Sequence, residues 1–342
     1  MKTVRAREGD FIETSDGLIF DVKGVLHPPA RVIAYVRYLP DRRGTRERAG
    51  VRYRKVYDLT ARAKLLKEKW PHYLHRDPVF HRVVQAVPFN NVKRHYIPTE
   101  RFTELLGGSE LDEQERMAGD MGEILANEAG ISTMKIGVSG STLVGLHTPE
   151  SDIDLIIYGT EAAQRCHSKL GALLSTRSRG FSPHDTKDLR ELYRQRRLEA
   201  AMSFEAFARH ERGKFLQGKF RGKFYFVRCV KEWDELQEAY GDREYYSVGR
   251  MSLRATIVDD SESILTPCTY GVTDAELRGR RLRHVPTQIV SFRGRFCEQA
   301  RRGDRIFAKG NLERIIDERG ETYRLVIGED PRDCLMLVER DE

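Results

Sequence analysis

Asp152 and Asp154 stand one residue apart at the head of the apolar run Ile153-Asp154-Leu155-Ile156-Ile157, and ten residues separate Asp152 from the pair Gly140-Ser141. On a strand, side chains alternate faces, so the two aspartates are expected to point the same way, roughly 6–7 Å apart along the chain. Carboxylates that close repel each other, and a divalent cation relieves the repulsion. Mg²⁺ is satisfied by one or two carboxylates together with phosphate oxygens, which fits this layout. Gly140 permits close backbone approach by a ligand. Ser141 is placed to cap a helix whose free N–H groups suit a phosphate. A phosphate seat beside a metal-binding carboxylate pair points to phosphoryl or nucleotidyl transfer.

Three elements must position these residues. Ile136 and Val138 end a short strand, Gly140-Ser141 turns it into a helix, and a second strand starts at Asp152 and buries Ile153, Leu155 and Ile157 on its other face. Upstream, Ser109-Glu110-Leu111-Asp112 has the form of a capping box, followed by Ala118, Met121, Ile124 and Leu125 at helical spacing up to Gly130. Residues 161–175 read as another amphipathic helix, a scaffold for the strands. A bland alternative stands beside the chemical one: Gly-Ser is a common turn, and two aspartates at a strand start can simply solvate a loop end. A Walker loop fits less well because no Gly-Lys-Ser/Thr follows, and Gly137 and Gly140 lack the spacing of a dinucleotide fingerprint.

The 342 residues suggest two or three domains, and 39% hydrophobic content is enough for real cores. The net charge of +7 comes from 59 basic and 52 acidic residues, a balance that tolerates polyanions without proving them. Cys166, Cys229, Cys268, Cys297 and Cys334 are scattered and form no Cys-x-x-Cys pair. That argues against a zinc site or a disulfide framework and for a reducing cytoplasm. The start, MKTVRAREGD, has no apolar signal region, and no run approaches the length of a membrane span.

Residues 1–100 read as a β-rich module ending in a linker. Residues 11–14, a Ser15-Asp16-Gly17 turn and residues 18–22 suggest a hairpin, with further strands at 31–39 and 51–57. His27, before two prolines, reads as a turn residue. A helix is expected from Leu59 to Trp70. His72, His75 and His81 lie between prolines without a cysteine, so packing or surface roles suit them better than a metal. The segment VPFNNVKRHYIP, bracketed by Pro88 and Pro98, reads as a linker. Residues 101–244 form the central domain, including a helix from Asp188 to Ala208 that carries Arg190, Arg194, Arg196 and Arg197. In the stretch RHERGKFLQGKFRGKFYFVRCVK, basic and aromatic residues interleave, which suits a triphosphate or nucleic acid as well as it suits a strand with solvated lysines. Residues 245–342 read as a small β-barrel-like module, with strands at 250–258, 262–272, 288–297, 305–316, 323–327 and 334–338 and hairpins like those of the OB type. The run Arg278-Gly279-Arg280-Arg281-Leu282-Arg283 reads as a basic loop.

The order Gly140-Ser141, short helix, then Asp152-x-Asp154 on a strand resembles the signature of the nucleotidyltransferase superfamily of DNA polymerase beta. The chain as a whole resembles an archaeal group of these proteins. The resemblance implies an α+β fold, with a small mixed sheet backed by helices as the nucleotidyltransferase core and N-terminal and C-terminal β-rich modules on either side. It implies Mg²⁺ (or Mn²⁺) held by Asp152 and Asp154, an NTP substrate against Gly140 and Ser141, ATP among the candidates, and RNA or DNA as a candidate acceptor. The family also places a third carboxylate on the next core strand. Here that strand is expected at Lys223 to Lys231 and holds no Asp or Glu. Asp260 and Glu262, before a stretch ILTPC that bears a faint likeness to the third-acid strand of tRNA CCA-adding enzymes, are the alternatives. The departure opens a second reading, a nucleic-acid-binding or regulatory protein on a scaffold that has lost its chemistry; a third acceptor class is a partner protein.

Overall fold

A computed structural model describes residues 4–56, 59–196, 202–278 and 285–338. The chain begins with strands β1 (Phe11–Thr14), β2 (Ile19–Val22), β3 (Arg31–Pro40), β4 (Arg46–Arg48) and β5 (Val51–Lys55), then helix α1 (Leu59–Lys69). Strands β6 (Leu74–Asp77), β7 (Arg82–Pro88) and β8 (Val92–Tyr96) follow. These eight strands form one sheet, in which β2 and β8 pair with opposite edges of β1. The expected linker is therefore a strand. Its prolines sit where they cost no ladder bond, Pro88 closing β7 and Pro98 opening the next helix.

Helices α2 (Pro98–Gly107) and α3 (Glu113–Ala129) lead into β9 (Ile136–Val138), α4 (Gly140–Leu143), β10 (Ile153–Tyr158) and α5 (Thr160–Thr176). The capping box at α3 is built by Asp112 and Glu115, not by Ser109 and Asp112, and Gly130 ends the helix with φ +61°. Gly137 lets α2 approach β9, since a Cβ there would lie 2.5 Å from the Pro98 Cβ. Next come β11 (Phe181–Ser182), α6 (Thr186–Arg196), α7 (Phe204–Arg212), β12 (Gln217–Phe220) and β13 (Lys223–Val230). The single helix expected over Asp188–Ala208 is thus two among the described residues; Arg197 lies outside them.

The last strands are β14 (Glu244–Asp259), β15 (Cys268–Arg278), β16 (Gln288–Ser291), β17 (Arg305–Asp317), β18 (Gly320–Val326) and β19 (Cys334–Leu337). They pair in the order β14-β15-β16-β18-β17, and β17 pairs back onto β14, so five strands close a ring; β16 and β18 are its one parallel pair. β19 takes the part of β17 that β18 leaves unpaired. The basic run after Arg278 lies outside the described residues from Gly279 on.

The described chain divides into two compact units. One holds residues 1–78, 82–169 and 223–240, the other 79–81, 170–222 and 241–342. In the first unit, one face of the N-terminal sheet buries Ile12, Leu18, Phe20, Val22, Val32 and Val36 with Leu66 of α1. The opposite face packs Phe11, Ile19, Tyr38, Tyr53 and Tyr96 on Leu143, Val144 and Leu146, in and just after α4. In the second unit, a buried Lys214–Glu211 pair at 2.7 Å lies at the C-terminal end of α7. No described helix is long and apolar enough to cross a membrane.

Candidate active site

β10 runs parallel to β13 and antiparallel to β9, with Asp154 beside Phe226 and Leu155 beside Val138. Ile153, Leu155 and Ile157 are buried on the helix side, as the alternation requires. Ile156 is buried too, on the face that Asp154 shares. Its cover is the N-terminal segment: Gly9 sits so close that a Cβ there would overlap the Ile156 Cδ1. Ser139 donates its hydroxyl to the Gly9 carbonyl at 2.7 Å.

Asp154 is the second residue of β10, and Asp152 immediately precedes the strand and is exposed. The Ser139 N–H donates to the Asp154 carbonyl at 2.9 Å, which brings the turn at Gly140 against the same residue. Gly140 has φ +61°, and a Cβ there would collide with the Asp154 Oδ2. Only glycine lets the carboxylate lie against the start of α4. Ser141 is buried inside that first turn, so the expected capping role is corrected: Ser139 holds the N-cap position, without a side-chain cap bond, and α4 spans only four residues. A helix that short has little dipole, but its first N–H groups have no intrahelical acceptor.

The loop from α4 to Asp152 is pinned from three sides. Arg48 donates to the Val144 carbonyl at 3.0 Å and pairs with Glu13 at 2.6 Å. Arg46 donates to the Leu146 carbonyl and to the Ser151 hydroxyl. Lys223 of β13 reaches the Pro149 carbonyl at 2.9 Å and the Gln114 side chain at 2.6 Å, and Gln114 in turn donates to the Asp152 carbonyl at 3.0 Å.

Charges from the N-terminal sheet and from β13 gather at Asp154. Lys55, Arg228 and Arg37 draw its carboxyl down, burial pushes it up more strongly, and Asp21 adds to the upward push. Asp21 itself lies below the ordinary carboxylate range, because Lys23, Arg228 and Arg37 outweigh its burial. Lys23 bridges Asp21 at 2.9 Å and Glu8 at 3.0 Å, and Glu8, fully buried, also pairs with Arg228. Among the described residues no donor makes a hydrogen bond to the Asp154 carboxylate. Oxygen-only donors, one of them lacking a hydrogen bond and cradled by a glycine, suit a hard divalent cation.

β13 is the strand beside β10 and holds no acid; Phe226 and Arg228 occupy the positions level with Asp154 and Ile156. Asp260 and Glu262 lie in the second unit, in the turn between β14 and β15, and not at the start of a strand. The basic-aromatic stretch is largely engaged with protein: Lys214 with Glu211, Lys219 with Asp188 at 2.5 Å, Lys223 with Gln114, Arg228 with Glu8. The three histidines between the prolines each have a carboxylate, His72 with Asp16, His75 with Asp77 and His81 with Glu244. Asp112, Glu115 and His147 also cluster; Asp112 and Glu115 close the α3 cap, His147 bonds Asp112 at 2.6 Å, and Glu115 pairs with Arg101. Asp21, Glu8, Arg37 and Lys55 carried no sequence signal, since ordinary strands place charged residues at alternate positions without function.

Residues 123–217, which include Gly140, Ser141, Asp152 and Asp154, match the family model described as a nucleotidyltransferase domain. An uncharacterized protein of Methanocaldococcus jannaschii is 29% identical over 346 residues, covering 95% of this chain and 96% of its own. No solved structure matches the chain.

Proposed function

From the nucleotidyltransferase domain that this chain carries, we propose that the protein transfers a nucleoside monophosphate from an NTP to an acceptor hydroxyl and releases pyrophosphate. The observation that carries this reading is the Asp154 carboxylate seated against Gly140 at the start of α4. Asp152 and Asp154 would hold Mg²⁺ or Mn²⁺, which when bound offsets triphosphate charge and lowers the pKa of the attacking hydroxyl. The backbone N–H groups at Gly140 and Ser141 orient the triphosphate. Arg37, Lys55 and Arg228, whose charges act on Asp154, offset the charge that builds on the leaving group. The acceptor oxygen bonds to the α-phosphorus as the bond to the α–β bridging oxygen breaks, and pyrophosphate departs. Pinning of residues 144–151 supports a fixed Asp152, which in-line attack requires. RNA or DNA ends are the acceptors we favour.

A second reading keeps the scaffold and drops the chemistry, leaving a nucleic-acid-binding or regulatory protein. It is favoured by Arg228, a cation on the strand where the family resemblance implies an acid. Pyrophosphate release separates the two, measured with each NTP, Mg²⁺ or Mn²⁺, and total cellular RNA. Transfer predicts release that falls at least a hundredfold in Asp154→Asn. Full activity in that variant, or salt-sensitive RNA binding with no release under any condition, would sink the transfer reading.

A further inference from the structure

We propose that Asp21, on the N-terminal sheet, supplies the third metal-ligating carboxylate that β13 lacks. The inference rests on the transfer reading above and adds a residue outside the matched domain.

Strand geometry aims Asp21 at the site. Along β2, Ile19 and Asp21 share one face, while Phe20 and Val22 bury in the sheet's own core. Ile19 packs on Leu143, Val144 and Leu146, so its face is the one applied to α4 and the loop after it. Asp21 pairs in register with Phe11 and Tyr35, and Phe11 belongs to the same cluster as Ile19. The preceding segment is fixed on the face of β10 that Asp154 shares: Gly9 abuts Ile156, and Glu8 pairs with Arg228. Asp21 and Asp154 thus share Arg228 and Arg37 as charge neighbours, and the Asp21 charge acts on Asp154.

The cations around Asp21 are arranged so that a metal can compete for it. The Asp21 side chain is 15% exposed, and Lys23 sits between it and Glu8 at nearly equal distances. When a divalent ion takes Asp21, Lys23 keeps Glu8 and is not left unpaired. Arg228 also keeps Glu8. The sign of charge has been exchanged between the two elements: the core strand carries a cation, and the added sheet carries the acid and the counter-charge for that cation. A truncated protein that began after the N-terminal sheet would then retain the family signature and lose a ligand.

The test is Mn²⁺ binding without nucleotide, followed by the paramagnetic signal of free Mn²⁺, on the full chain. Asp21→Asn is expected to weaken binding about tenfold or more, as Asp154→Asn does, and Asp21→Glu to recover part of it. Asp21→Cys keeps a ligand and changes its softness, so Cd²⁺ should displace Mn²⁺ more readily from this variant than from wild type. Circular dichroism with the metal absent checks that each variant folds, and the Cys variant's metal preference reads the site independently of stability. Unchanged Mn²⁺ affinity in Asp21→Asn beside a loss in Asp154→Asn overturns this inference alone. No Mn²⁺ binding by wild type, or none lost in Asp154→Asn, overturns the transfer reading with it.

Discussion

At the scale of single residues, Gly140 governs the site by what it lacks. Its φ of +61° already disfavours a side chain, and the Asp154 carboxylate occupies the space a Cβ needs. Gly140→Ala is expected to cost about 1–3 kcal/mol, from backbone strain alone. It should also push Asp154 away from the start of α4. Activity should therefore fall more than stability: a melting curve and a pyrophosphate assay on the same preparation give the comparison, and equal wild-type activity would show that the carboxylate need not lie there. His27 illustrates the opposite case, a polar residue with a purely structural setting. Its Nε2 donates to the Ala6 carbonyl at 3.0 Å and its Nδ1 accepts from the Ile33 N–H at 3.2 Å, which fixes a neutral ring. Both ring nitrogens are thus taken up by backbone groups.

At the scale of elements, β4 acts at a distance in sequence on the loop before Asp152. Arg48 satisfies three groups at once: the buried Glu13, the Tyr96 hydroxyl at 2.6 Å and the Val144 carbonyl. Arg48→Met removes those donors while keeping most of the side-chain length. It leaves Glu13 to Lys93 and Tyr96 alone, at 2.8 and 2.6 Å. A loss of roughly 1–3 kcal/mol follows from the unsatisfied groups. Amide hydrogen exchange should then speed up across residues 144–151 while α3, capped by Asp112 and Glu115, keeps its protection. Unaltered exchange in the loop would mean that Arg46, Lys223 and Gln114 suffice to hold it. The helices and strands with strong periodicity, α3 and β10 above all, were legible from their residues. β8 was not, because two prolines at its borders look like linker punctuation until a partner strand is present.

At the scale of the whole molecule, acid is the expected weakness, because each unit holds a histidine that must stay neutral, the half-buried His27 in one and the buried His210 in the other. Burial pushes His27 in the first unit and His210 in the second down to about 4 from an ordinary 6.5. A depressed folded pKa means the stability is present in full above pH 6.5 and is lost as pH falls from there toward 4. At about 1.4 kcal/mol per unit, His210 accounts for on the order of 3 kcal/mol. Glu211, held down to about 2 by Lys214 and Arg196 against its burial, extends the loss below pH 4.5. Melting temperature should thus be flat above neutrality and drop between pH 6.5 and 4. In His210→Gln the value at pH 7 is lower, but the fall with acid is shallower; an unchanged slope would locate the acid sensitivity elsewhere.

The sequence by itself determined the candidate site: Gly140, Ser141, Asp152 and Asp154 lie close along the chain, and strand–turn–helix–strand order is a local property that spacing and alternation reveal. It also revealed that the strand after them lacks an acid, since β13 could be located from its own apolar alternation. What only the tertiary structure decided is what faces those residues. Asp21, Arg37 and Lys55 come from strands, and Glu8 from the segment before β1, all more than eighty residues upstream, and their meaning depends on which face of the N-terminal sheet is applied to α4. A strand with one buried and one docking face has the same period of two as a strand with a solvated face. The choice between them is made by packing, through Gly9 against Ile156 and Ile19 against Leu143, and pairs so distant in sequence leave no trace in local spacing.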